Sequence, residues 1–283
     1  MTTKGALTRG NIVSLFLVVG VAVAAYWSTF VDLYHMWSSN EDYSHGFLVI
    51  PLAVYLAWRK RHEMLDKATD SSSMGWGLAM VWVILYVAGS MGHIATVKNV
   101  SMVVLPIASS AIVLGPAAAR CMMVPSFFLL FMFPIPSEIY TRVTNPLLLI
   151  STTASYHILG SLSIPVLQDG NLLSLPDYTM EVVLACSGIR SLITIMALAY
   201  LMAALMLRGV LQWVMLLLAS VPTAIAGNIL RITLTAVLAY HVSPKAAEGF
   251  SHTLVGVATF IVAFVLLSTC MVLIRWMFEP KKR

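Results

Sequence analysis

The sequence predicts an all-α polytopic membrane protein. It has about eight transmembrane helices, both termini on the cytoplasmic side, and a small outer-face helix and β-hairpin between the fifth and sixth spans. Three observations predict this. The first is composition: the 283 residues are 59% hydrophobic and 10% charged, with a mean hydropathy of +0.88. A soluble domain carries roughly 25% charged residues, so this chain cannot coat its apolar surface in water. A cytosolic enzyme, a secreted disulfide scaffold and a disordered chain are excluded. The second is that the apolar residues fall in runs close to the roughly 20 needed to cross a bilayer. The third is that the basic residues gather at alternate ends of those runs. The net charge of +5 is distributed in short clusters, so it is not a nucleic-acid footprint.

The runs cover residues 11–30, 46–58, 75–91, 99–119, 121–133, 182–207, 210 into the 230s, and 252–274. No cleavage-type small-residue site follows the first, which therefore reads as an anchor rather than a signal peptide. The second and fifth are short. With the N-terminus inside, the cytoplasmic segments hold Lys4 and Arg9; Arg59, Lys60, Arg61 and Lys67; Arg120; Arg208; and Arg275, Lys281, Lys282 and Arg283. Only Lys98, Arg142, Arg190, Arg231 and Lys245 of the 17 basic residues fall outside. Basic residues concentrate in cytoplasmic loops, and the bias holds in all five segments.

Residues 134–181 are the largest non-spanning stretch, expected as an extracytoplasmic insertion within one membrane domain over 1–283. Residues 138–159 are moderately apolar and expected as a helix lying in or dipping into the interface. Beyond them Asp169-Gly170-Asn171 is a turn signal between β-prone pieces, which predicts a small hairpin.

Ionisable residues in or at the ends of spans are costly and call for a reason. Cys186 falls at the outer end of the sixth span, with Arg190 four residues on and on the same helical face. Asn228 and Arg231 lie roughly 30 Å along the seventh segment from its cytoplasmic start, so they approach the outer face. His252 opens the eighth span on that side. Three separate segments thus bring a thiol, a guanidinium and an imidazole to one depth. A thiolate is a nucleophile whose pKa nearby cations lower. An imidazole can take its proton and return one to a leaving amine. An arginine can hold the oxyanion of a tetrahedral intermediate. Gly256, one turn after His252, allows close approach of a helix or a substrate backbone.

The chain has three cysteines. Cys121 belongs to the cytoplasmic end of the fifth span, and Cys270 lies roughly 27 Å deeper than His252. A disulfide needs Cα atoms within about 7 Å, so Cys186 is expected as a free thiol. Each residue taken singly has a plainer use: a cysteine as a small buried hydrophobe, an arginine snorkelling to head groups. His35, His45, His93, His157 and His241 also fall on the outer side, so histidine alone does not select the base. No metal-ligand or cofactor pattern is present in the sequence, and no metal or cofactor is expected.

Ala185-Cys186-Ser187-Gly188-Ile189-Arg190-Ser191 resembles the cysteine motif of the exosortase/archaeosortase family. Asn228-Ile229-Leu230-Arg231-Ile232 resembles its arginine motif, and His252 with Gly256 and Phe260 its histidine motif. Tyr43-Ser44-His45-Gly46-Phe47-Leu48-Val49 and Trp58-Arg59-Lys60-Arg61 are similar to its N-terminal stretch. The resemblance covers about residues 40 to 275. It implies a bacterial inner-membrane cysteine protease-transpeptidase, of the exosortase branch, with its site facing the periplasm or exterior. Such an enzyme acts on membrane proteins that end in a short motif, often Pro-Glu-Pro, a hydrophobic helix and a basic tail. Cys186 is then the nucleophile, Arg231 the transition-state stabiliser and His252 the general base or acid. Arg190, Asn228 and Ser187 are candidates for substrate binding. Asp177 and Glu181 join them as candidate partners for the arginines. The partners implied are such sorting-signal substrates, the lipid bilayer and an acceptor nucleophile.

Two rival readings start from the same residues. In an anion-binding transporter, Asn228, Arg231 and Arg190 would line an outer vestibule and Cys186 would be dispensable. A non-catalytic assembly factor of an envelope-polysaccharide system would dispense with both Cys186 and His252. The chain shows no internal repeat of the kind many transporters carry.

Overall fold

The computed structural model describes residues 9–69, 73–176, 178–182, 189–244 and 249–278. The chain divides into two compact units, Met1–Pro134 and Ile135–Arg283.

In the N-terminal unit, α1 (Arg9–Ser39) leads through a short 3-10 turn to α2 (Gly46–Arg59) and α3 (Arg61–Asp66). Then come α4 (Ser73–Met91), α5 (Ala95–Leu114) and α6 (Pro116–Phe128), which tightens into a 3-10 turn, Leu129–Met132. Helix α5 packs between α4 and α6 and also meets α1, while α2 lies on α6. Polar groups pin these contacts. The Tyr26 hydroxyl shares a 2.5 Å hydrogen bond with Ser101 and accepts one of 2.9 Å from Trp82 Nε1. Trp37 Nε1 donates to the Met132 carbonyl at 3.0 Å, and His45 Nε2 lies 3.0 Å from that of Phe131. The two rings thereby engage carbonyls in the tightened last turn after α6, whose own helix offers those groups fewer partners.

The expected runs 99–119 and 121–133 divide elsewhere than predicted. The break is at Gly115, with φ +85° and ψ 176°, and Pro116 opens α6. Proline disfavours helical geometry in the residue before it, and only glycine adopts this backbone region without strain. Hydropathy runs through the break unchanged, which is why the apolar pattern alone misplaces it.

In the C-terminal unit, α7 (Ser137–Ser161) is followed by β1 (Leu167–Asp169), β2 (Leu172–Leu175) and β3 (Tyr178–Glu181). The remaining helices are α8 (Ile189–Met206), α9 (Val210–His241) and α10 (Gly249–Phe278). The helix expected over 138–159 is present as α7, with Thr144, Ser151, Thr152, Ser155 and Leu159 buried. The hairpin turns where expected: Asp169 pairs with Leu172, and Gly170 takes φ +58°. A third antiparallel strand extends the sheet in the order β1-β2-β3. Val182 was expected to begin the sixth span. It instead continues the sheet, its amide donating to the Asn171 carbonyl at 2.9 Å. Leu173, Leu175, Met180 and Val182 pack with Leu159 and with Ile232 and Ala236 of α9.

Helix α9 is the hub of this unit, packed by α7, α8 and α10 and touched by β3. Gln212 Oε1 accepts the amides of Arg208 and Gly209 at 3.2 and 3.0 Å and so holds its start. Small residues let the helices approach closely. A methyl on Gly227 would meet Ala263 Cβ at 3.1 Å, and Ser155 Oγ donates to the Ile229 carbonyl at 3.2 Å. Lipid is as apolar as leucine, so helices in a bilayer associate through such packing.

Among the described residues, four helices are long and apolar enough to cross a membrane: Ser73–Met91, Ala95–Leu114, Val210–His241 and Thr253–Phe278. A fifth appears if Pro116–Met132 and Ser137–Ser161 are counted together. Shorter apolar helices cover Gly46–Arg59 and Ser191–Met206. The protein is therefore a mostly helical membrane protein with a small three-stranded sheet.

Candidate functional site

The predicted site falls in the C-terminal unit. The Asn228–Arg231 turn of α9 carries two of its residues. The Asn228 side chain is 3% exposed, and its Nδ2 has no hydrogen-bond partner among the described residues. An unpaired buried amide is costly, so such a group is suited to a ligand that restores the bond. Arg231 follows three residues later on the same side of the helix.

The Arg231 guanidinium rests on α10 at Gly256. A Cβ built there would meet Cζ, Nε and Nη2 of Arg231, each at 3.8 Å. Sequence reasoning assigns Gly256 to close approach of a helix or substrate; the group that approaches is the guanidinium itself. His252 lies in the first turns of α10, four residues before Gly256 and so on the same helical face. Residues of α9 and α10 thus meet at Gly256. The adjacent α9 residue Ile232 is 2% exposed and belongs to the same buried cluster as Val182. Val182 precedes Cys186 by four residues in the sequence.

Other histidines of this unit are placed differently. His157 packs on Tyr156 with ring centroids 5.2 Å apart, and His241 on Tyr240 at 4.9 Å. His241 ends α9, about 15 Å beyond Arg231 along the helix. Glu181 closes β3 and is exposed, beside buried Met180. Cys186, Ser187 and Asp177 lie outside the described residues, as do the side chains of Arg190 and His252. Cys121 and Cys270 are free thiols. Among the described residues no group of three His, Cys, Asp or Glu gathers as metal ligands would.

In the sequence Val182 stands only as the first residue of an apolar run. Its signal is the β-prone stretch just before it, which carries the pairing direction of β2 and β3 on to residue 182.

A family model described as transmembrane exosortase matches residues 37–269. That range contains the Cys186, Asn228–Arg231 and His252–Gly256 motifs and the N-terminal stretch from Tyr43 to Arg61. No curated protein and no solved structure matches the chain.

Proposed function

The chain belongs to the transmembrane exosortase family, and from that membership we propose that it is a membrane cysteine protease-transpeptidase. Its substrates are membrane proteins that carry a C-terminal sorting signal: a short Pro-Glu-Pro-like motif, a hydrophobic helix and a basic tail. The substrate's helix lies beside the spans with its basic end on the cytoplasmic side. Its motif then reaches the outer interface of the bacterial inner membrane. Eight spans with both termini inside, including the short helices α2 and α8, complete this arrangement.

In the reaction, the Cys186 thiolate attacks the scissile carbonyl and forms the C–S bond, and the oxyanion forms against Arg231. The C–N bond then breaks as His252 gives a proton to the departing amine. The acyl group remains on Cys186 until water, an amine or a hydroxyl takes it. Asn228, with its unpaired amide one turn from Arg231, binds the substrate backbone. Ser187, Arg190, Asp177 and Glu181 contribute further substrate contacts.

The observation that carries this reading is the Arg231 guanidinium seated on Gly256, one helical turn from His252, within a chain matched by the family model. Val182, four residues before Cys186 in the sequence, shares a buried cluster with Ile232 of α9, which supports this reading. The test is Cys186→Ala in cells producing a tailed substrate. The expected result is full-length, unprocessed substrate with normal accumulation of the variant. Normal processing by Cys186→Ala would leave the transporter or assembly-factor reading in its place.

A further inference from the structure

The N-terminal unit contains an apolar slot of about 280 Å³ between α1, α2, α5 and α6, with Tyr26, Ala53, Ala57, Met102, Ser126 and Met132 in its lining. Along α2 it is faced by Ile50, Ala53, Val54 and Ala57, a spacing of three and four residues that marks one helical stripe. Those positions cover about 10 Å of helix, and the lining is almost wholly apolar. Such a slot suits a hydrocarbon chain.

The stripe does not end in apolar residues. One turn beyond Ala57 it arrives at Lys60 and Arg61, where the chain keeps turning: the Lys60 amide bonds the Ala57 carbonyl at 3.1 Å. Exposed Arg59 adds a third cation. The Arg61 guanidinium stacks 4.0 Å over the Trp58 ring and donates to the Trp58 carbonyl at 2.9 Å. This fixes it in place and leaves further N–H donors. The nearby Glu63 carboxylate is already engaged by Lys67 Nζ at 2.8 Å. Exposed Tyr55 and Trp58 stand at the same end, as aromatic residues do where a bilayer meets water.

We propose that this slot and its basic mouth form a binding site for one anionic glycerophospholipid, with an acyl chain between α2 and α6 and the phosphate on Lys60 and Arg61. Cation clusters next to membrane-embedded clefts recognise anionic head groups in this way. The site lies entirely within the N-terminal unit and does not depend on the proposed peptidase chemistry.

Native mass spectrometry of the full-length protein, titrated with phosphatidylglycerol or phosphatidylcholine of identical chains, tests it. The wild type is expected to retain one phosphatidylglycerol with about tenfold preference. K60Q/R61Q lowers that preference to parity while a lipid is still retained. Ala57→Phe fills the slot and removes the retained lipid, and Val54→Phe, at a lipid-exposed position, does the same should Ala57→Phe fold poorly. Ser126→Ala leaves binding unchanged, because a hydrocarbon chain offers that hydroxyl no partner. Equal retention of both lipids by the wild type, a folded slot-filling variant that still retains its lipid, or loss of binding in Ser126→Ala would each overturn the assignment.

Discussion

Replacing Gly256 separates the contact that seats Arg231 from the chemistry proposed for Arg231. A methyl at this position lies 3.8 Å from three guanidinium atoms, which is ordinary van der Waals distance. Gly256→Ala therefore fits and is expected to process a tailed substrate within about threefold of wild type. Gly256→Val places a further carbon about 1.5 Å beyond Cβ. Directed at the guanidinium, it would close the gap to about 2.3 Å, against an optimum of about 3.5–4.0 Å. The guanidinium must then move by about 1 Å or more. A displacement of that size at a catalytic group costs about a hundredfold in rate, or about 2.7 kcal/mol of transition-state stabilisation. The assay is the ratio of processed to full-length substrate over time, in membranes normalised for enzyme. Overpacking also destabilises by about 1–3 kcal/mol, so thermal stability is measured alongside. The reasoning fails if Gly256→Val processes at the wild-type rate. It also fails if Gly256→Ala and Gly256→Val are equally inactive while both stay folded.

Three further outcomes follow from the N-terminal unit. Gly115→Ala forces a side chain into a backbone region that only glycine occupies freely, and is expected to lose about 1–3 kcal/mol, read as a lower melting temperature in detergent. Trp37→Phe keeps an aromatic side chain of smaller volume but removes the donor to the Met132 carbonyl. It is expected to cost about 1–3 kcal/mol for the buried acceptor left unpaired, and the same melting assay reads it. Burial holds the His45 imidazole below its ordinary pKa, so folding favours the neutral ring. The unfolded chain takes up its proton near pH 6.5. The stability linked to His45 is therefore complete above that pH and lost as pH falls through it. Melting temperature against pH should show this loss in the wild type and a flatter profile in His45→Asn.

How much of this was legible in the sequence depends on which physical signal carried it. Rise per residue puts Arg231 and His252 at one expected depth. The same estimate says nothing about lateral position, so it could not name Gly256 as the surface Arg231 touches. The Asp169-Gly170-Asn171 turn was legible because few residues reach a positive φ. Strand β3 was not, because its apolar continuation through Val182 merges with the next hydrophobic run. The Gly115-Pro116 dipeptide carried its own stop signal, but hydropathy is continuous across it. The apolar runs do not by themselves fix the number of spans, since α2 is 14 residues long and a short helix crosses only with bilayer thinning or snorkelling that composition does not encode.

The close seam between α9 and α10, where Gly227 meets Ala263 and Ser155 reaches over from α7 to the α9 backbone, has a calorimetric consequence. In lipid, pulling these helices apart exposes apolar surface to acyl chains rather than to water. The large heat-capacity change that curves the stability of soluble proteins comes from hydrating such surface. For this unit that contribution is small, so its free energy of helix separation varies almost linearly with temperature, and chilling does not loosen it.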